Sequence, residues 1–354
     1  MTALARNWFQ RFGTTEMPVR QSALNDIASQ NGCPKRFFYK TEAELGGTAP
    51  PPRAHWRPCI GTAAHAVIET ALTKAWPLLV QIFGPDAEKP EGASPGWAPA
   101  NLRARIDERL REELEKAAGV DIDGKPQRIE WHEENPEGEI ADAVSMVIGA
   151  LRTTAERAES IVACEAPFRA ALEGYELEGT VDLLYKRRGD GAICLADWKT
   201  GERKQPQVLL DYGYQLSTYA HALEHGVFWP GAENETRFGV WPAELHIVHL
   251  RDFVPYVKKP KTAGKNVGDL RGPGWCASKR SSTDVARLAA SLRAVVGTVR
   301  MNRRLEALGE QCSRCPFRGP CLTDGHAVAG DEARALERAL QGVDTSDADE
   351  LSAA

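Results

Sequence analysis

Three residues in the middle of the chain have the types and spacing for phosphate chemistry. Asp197 and Lys199 lie two apart in LADWKTG, so on a β-strand both project from one face while Trp198 takes the other. Asp182, in EGTVDLLY, lies on the preceding strand candidate, and a short turn around Gly189 and Gly191 makes the two strands antiparallel neighbours. Two carboxylates and an ammonium then converge. Phosphodiester hydrolysis needs that convergence: hard oxygen ligands hold Mg²⁺ or Mn²⁺, which makes a bound water more acidic and offsets the charge building at phosphorus. Lys199 is placed to orient or deprotonate such a water. An Asp-x-Lys tripeptide by itself is an ordinary surface ion pair, so its weight comes from its neighbours in the sequence.

A second set is sulfur. Cys312, Cys315 and Cys321 form C-x2-C-x5-C in QCSRCPFRGPC, where Pro316, Gly319 and Pro320 favour a compact loop. Cys33, in NGCPKRFFYK, is the expected fourth ligand. Four thiolates suit an iron–sulfur cluster or a structural Zn²⁺. Such a clip closes a very long loop, and its binding energy becomes folding energy. Cys164 and Cys194 fall within strand candidates and read as small buried hydrophobes, while Cys59 and Cys276 have no near cysteine partner.

In chain order, GTAAH (61–65), GTVD (179–182), DWKT (197–200) and QLSTY (215–219) resemble the motifs of the RecB-like branch of the PD-(D/E)XK nuclease superfamily. The resemblance implies a restriction-endonuclease-like α/β core with a central mixed sheet flanked by helices. It implies that His65 and Asp182 help bind the metal, that Asp197 is a ligand, that Lys199 is the catalytic lysine, and that Gln215 with Tyr219 supports the site or the DNA. Val181-Asp182 stands where the superfamily's name has Pro-Asp. Glu165, in ACEAPF, reads either as a further carboxylate near the metal or as a strand-end charge facing solvent. One cysteine before the core and three after it resemble the cluster-binding subset of this branch, which includes CRISPR-associated exonucleases and nuclease domains of bacterial helicase–nucleases. In that subset the cluster is [4Fe-4S].

The elements that must position these residues follow from periodicity. Helices are expected over SALNDIASQ (22–30), GTAAHAVIETALTKAWPLLVQIF (61–83), 101–118, 137–160, 211–226 and 284–308. Strands are expected at IVACEAPFRAAL (161–172), YELEGTVDLLYKR (175–187), AICLADWKT (192–200), ELHIVHL (244–250) and FVPYVKK (253–259). Gln215 and Tyr219, at i,i+4, share a helix face. The resulting organisation is a helical region over 1–160 carrying Cys33 and His65, a nuclease core over 161–305, a cysteine-rich loop over 306–326 and an acidic tail over 327–354.

Composition limits the function classes. A formal charge of −5 over 354 residues excludes a chain coated in basic residues, so any DNA surface is local. Two basic segments qualify: Lys35 to Lys40, where Phe37, Phe38 and Tyr39 interleave with cations and suit either core packing or base stacking, and a flexible loop over 257–280. That loop carries Lys258, Lys259, Lys261, Lys265, Arg271, Lys279 and Arg280. There is no run of roughly 20 apolar residues and no P-loop signature, so the reading is a cytoplasmic protein without its own motor, able to work with a separate helicase. The expectation is therefore an Mg- or Mn-dependent deoxyribonuclease acting on DNA ends or single strands, in repair, recombination, or phage or CRISPR-type defence. The rival classes are a catalytically silent nuclease fold that binds DNA or assembles partners, and a zinc-stabilised interaction protein.

Overall fold

The computed structural model describes residues 8–28, 32–46, 55–88, 90–91, 96–119, 125–131, 136–201, 213–257, 266–301, 315 and 321. These fall into two compact units. One comprises residues 18–21 and 50–290, and the other comprises residues 1–17, 22–49 and 291–354.

The larger unit is built on a seven-stranded mixed sheet. Its strands are β1 (Val19–Arg20), β2 (Ala158–Leu172), β3 (Tyr175–Arg187), β4 (Ile193–Lys199), β5 (Val227–Phe228), β6 (Glu244–His249) and β7 (Trp275–Ser278). The order is β5-β2-β3-β4-β6-β7, with β1 pairing parallel to β3. β2, β3 and β4 form an antiparallel meander, and β6 then joins β4 in parallel. Helices supply the two faces. On one side lie α3 (Trp56–Lys74), α4 (Trp76–Phe83), α5 (Ala100–Ala118) and α6 (Glu137–Arg157), packing Ile60, Val67, Leu110, Val147 and Leu151 against Leu183, Ala196 and Trp198 of the sheet. On the other side α7 (Gly213–His225) packs Leu216, Tyr219 and Leu223 against Val181, Leu184, Leu195 and Ile247. A sheet covered on both faces explains why β4 reads as a nearly continuous buried run rather than an alternating one.

The turn between β3 and β4 is the glycine-dependent one anticipated. Gly189 and Gly191 both take positive φ, and the Asp190 carboxylate accepts the Ala192 N–H.

The smaller unit contains α2 (Pro34–Gly46), with α1 (Gln21–Ala28) and α8 (Ser282–Arg300) contributing most or part of their length. Its described core is aromatic: Phe9 meets Phe38 with ring centroids 4.8 Å apart, and Phe12 meets Phe37 at 5.9 Å. Phe37 and Phe38 are buried, so core packing, not base stacking, is their role here.

Several expected elements differ. The helix over 61–83 starts earlier, at Trp56, and breaks at Ala75 with a 94° bend. Pro77 causes the break, since its ring would collide with the carbonyl one turn back. The described part of FVPYVKK, residues 253–257, is not a strand: Leu250–Phe253 forms a 3₁₀ turn, and Pro255 bridges to Leu270. The segment 257–280 is not one flexible loop, because β7 lies within it and pairs with β6. Its Lys258, Lys259, Lys261 and Lys265 lie outside the described residues, as do Cys312 and the acidic tail.

Candidate active site

The site forms where β3 and β4 stop pairing. Their ladder ends at Leu183–Ala196, so Asp182 and Asp197 sit on the first unpaired rung. The Trp198 N–H, released from that ladder, instead donates to Asp182 Oδ2 at 2.8 Å. A backbone donor thereby fixes a carboxylate that is almost fully buried.

Side-chain alternation also breaks here, in both β2 and β3 at once. Ala163 and Ala166 both pack on the α7 side although three residues apart, and so do their partners Leu184 and Val181. Cys164 and Leu183, between them, face the α3 side. The unpaired residues at the break are Glu165 and Asp182, and Glu165 takes φ 46°, a left-handed conformation that costs a non-glycine residue about 1 kcal/mol or more. The consequence is that both carboxylates turn toward α3, where His65 waits.

His65 Nδ1 lies 3.3 Å from Glu165 Oε1 and 3.8 Å from Asp182 Oδ2, and Nε2 lies 3.2 Å from the Trp198 carbonyl oxygen. One ligand atom from each of His65, Glu165 and Asp182 falls within 4.8 Å of the others. Both ring nitrogens face acceptors, which only the doubly protonated imidazolium satisfies. Burial works against that cation, but the Glu165 hydrogen bond and the charges of Asp182, Glu165 and Asp197 outweigh it and raise the His65 pKa. Asp182 is pushed up to about 7, first by burial and then by the Asp197 charge, against the pull of His65 and Lys199.

Asp197 reaches the same place from the α7 face. Its Oδ1 accepts from Gln215 Nε2 at 2.6 Å and from Tyr219 Oη at 3.2 Å, and Gln215 Nε2 also lies 2.7 Å from Tyr219 Oη. Its Oδ2 is ion-paired with Lys199. Burial holds the Tyr219 phenol well above its ordinary pKa, so it remains a donor. Gly61, at the head of the GTAAH motif, packs against DWKT: a Cβ there would lie 3.1 Å from Thr200 Oγ1. Gly179, in GTVD, makes room for the Phe168 ring across the strand pair, which a Cβ would approach to 2.7 Å.

Every residue expected in the site is thus brought to one end of β4, in two layers. His65, Glu165 and Asp182 converge as one set of donors; Asp197 is instead gripped by Lys199, Gln215 and Tyr219. With His65 neutral, three carboxylates against one lysine leave a formal excess of two negative charges, which suits a divalent cation held by hard ligands. Glu165 carried only an even-handed signal in the sequence, because nothing in ACEAPF announces a left-handed residue within a strand.

With this geometry, the match of residues 22–322 to the family model of the PD-(D/E)XK nuclease superfamily is unambiguous in meaning: the chain belongs to that superfamily. Its fold is the restriction-endonuclease-like one, a central mixed sheet flanked by helices. No curated protein sequence matches the chain. Among the described residues no single helix is long and apolar enough to cross a membrane.

Among the described residues no disulfide joins Cys33, Cys59, Cys164, Cys194, Cys276, Cys315 or Cys321. Cys33 is buried just before α2, and the Lys35 ammonium, two residues on, donates to the Cys321 carbonyl oxygen at 3.0 Å. Cys59 is spoken for as a packed helix residue, its thiol directed at the Ala117 carbonyl oxygen.

Proposed function

We propose that the chain is a divalent-metal-dependent deoxyribonuclease of the RecB-like branch, cutting at DNA ends or in single strands. The observation that carries the reading is the convergence of His65, Glu165 and Asp182 beside the Asp197–Lys199 pair. Bound there, Mg²⁺ or Mn²⁺ would supply Lewis acidity to a water and to the scissile phosphate. Asp182, His65, Glu165 and Asp197 form the donor set. Gln215 and Tyr219 hold one oxygen of Asp197 and so fix the direction of the other, against which Lys199 is set. Lys199 then orients the attacking water and counters the charge that develops on the phosphate.

Cys33, Cys312, Cys315 and Cys321 belong to this reading as ligands of a structural metal group, a [4Fe-4S] cluster in preference to Zn²⁺. The Lys35 bond, which ties the Cys33 segment to Cys321, supports it. The cytoplasm, where thiols stay reduced, is the matching compartment. A role in DNA repair, recombination or antiviral defence, beside a separate helicase, fits an end-processing nuclease without a motor.

The test is cleavage of end-labelled single- and double-stranded DNA by anaerobically purified protein, with Mg²⁺ or Mn²⁺ against EDTA, beside the Lys199→Ala variant. Metal-dependent cutting that falls by about 100-fold or more in the variant, with DNA binding retained, is expected. Well-folded wild-type protein that binds DNA without cutting it would replace this reading with a silent binding subunit.

A further inference from the structure

Gly61 lies inside α3, in ordinary helical backbone, where glycine is less stable than alanine. No turn or left-handed angle asks for it there. Among the described residues, the one atom that an added Cβ would crowd is the Thr200 hydroxyl oxygen, at 3.1 Å. A hydroxyl can turn aside, so packing alone does not demand the glycine. The missing side chain leaves open space between α3 and the end of β4, with Gly61 and Thr200 both only half-buried beside it. No described residue hydrogen-bonds the Thr200 hydroxyl.

That space lies next to the metal donors. Thr200, like Trp198, faces α3, whereas Asp197 meets Gln215 of α7 on the opposite face. His65, whose ring meets Glu165 and the Trp198 carbonyl oxygen, follows Gly61 by four residues, about 6 Å along the helix and on nearly the same face. The offset is comparable with the spacing of successive phosphates along a DNA strand. We infer that the Thr200 hydroxyl donates to a non-bridging oxygen of the DNA phosphate next to the one being cut, and that Gly61 is bare so that this phosphate can approach; the inference rests on the proposed nuclease activity. A neutral donor suits the place. A lysine or arginine so near Glu165 and Asp182 would be drawn onto those carboxylates, as Lys199 is onto Asp197, and would compete with the metal for them. A hydroxyl holds phosphate without that competition, and such contacts set the register of the strand against the metal.

Full-length wild type, Thr200→Val, Thr200→Ser and Gly61→Ala would be compared on single-stranded oligonucleotides, either all-phosphate or carrying one neutral methylphosphonate at each position in turn. Dissociation constants would be read in Ca²⁺, and KM and kcat in Mn²⁺. Thr200→Val and Gly61→Ala should raise Kd and KM about 10-fold and leave kcat within about twofold, with Thr200→Ser near wild type. Gly61→Ala should melt no lower than wild type, because the helix gains from alanine. With the methylphosphonate beside the cut, wild type should lose about 10-fold in affinity and Thr200→Val about threefold or less, a coupling that a merely structural role would not produce. Equal affinity of wild type and Thr200→Val for all-phosphate DNA, or equal losses for the two at every methylphosphonate, would overturn the contact. Wild-type protein that binds DNA in Ca²⁺ yet never cuts it would end the nuclease reading instead, while the methylphosphonate scan still accepts or rejects the Thr200 contact.

Discussion

At the scale of single residues, the site is dominated by the cost of holding three carboxylates near one another in a buried place. Asp182, ordinarily ionised above pH 3.8, keeps its proton to about pH 7. His65 likewise holds its proton more tightly than usual. Both shifts have the same sign, so the folded, metal-free protein binds more protons than the unfolded chain, and its stability falls as pH rises from about 4 toward 7 and beyond. A cation must displace those protons. Mn²⁺ affinity measured by calorimetry should therefore climb by more than about tenfold, and up to about a hundredfold, per pH unit below pH 7, where two protons must leave, and less steeply above it. Asp182→Asn should melt higher than wild type in EDTA at pH 8, because it removes a buried charge, yet lose Mn²⁺-induced stabilisation. A variant that melts lower in EDTA would contradict the electrostatic account. Asp197 and Lys199 could be picked from sequence because strand periodicity puts them on one face, and a glycine turn brings the strand of Asp182 beside them. Glu165 could not, since its placement depends on one backbone angle.

At the scale of elements, the glycines of the motifs act through packing. Gly179 faces Phe168 directly across the β2–β3 pair, and any side chain there must displace a fully buried ring. Gly179→Val should cost about 1–3 kcal/mol in urea melts with EDTA present. Gly213→Ala, at a position where an added Cβ meets nothing, serves as the neutral comparison. The long strands and α5 to α7 were legible because each has a sustained period and clear boundaries. β7 was not: Trp275–Ser278 is four residues directly after Gly272, Pro273 and Gly274, and what makes it a strand is the edge of β6, a tertiary partner. FVPYVKK differs for another reason: its first residue ends a 3₁₀ turn, and Val254 to Tyr256 pair with residues 268–271 only through an isolated bridge and a few turn hydrogen bonds.

At the scale of the whole molecule, His65, Glu165, Asp182 and Asp197 lie in one compact unit, whereas Cys33, Cys315 and Cys321 lie in the other, on either side of them along the chain. Hydrogen exchange should separate them. On the proposed ligand role of Cys33, Cys315 and Cys321, removing their metal is expected to speed exchange through α2 and leave residues 183–198 unchanged, whereas Mn²⁺ should slow exchange around 182–199 alone. Uniform loss of protection on metal removal would show one cooperative body instead. The order of the motifs and the net charge were readable from the sequence alone. The division into two units was not, because segment membership is decided by packing between residues hundreds of positions apart.

The matched break in β2 and β3 makes the site sensitive to insertions and deletions more than to substitutions. Because Glu165 and Asp182 sit at the same rung, each strand keeps step with the other only while both irregularities are present. Losing one residue from either strand would invert the inside and outside of everything beyond it. In descendants of this gene, length changes in this hairpin should be confined to its Glu173–Gly174 tip or to its base near Ala158–Ala163, where the register already shifts, or should arrive in both strands together.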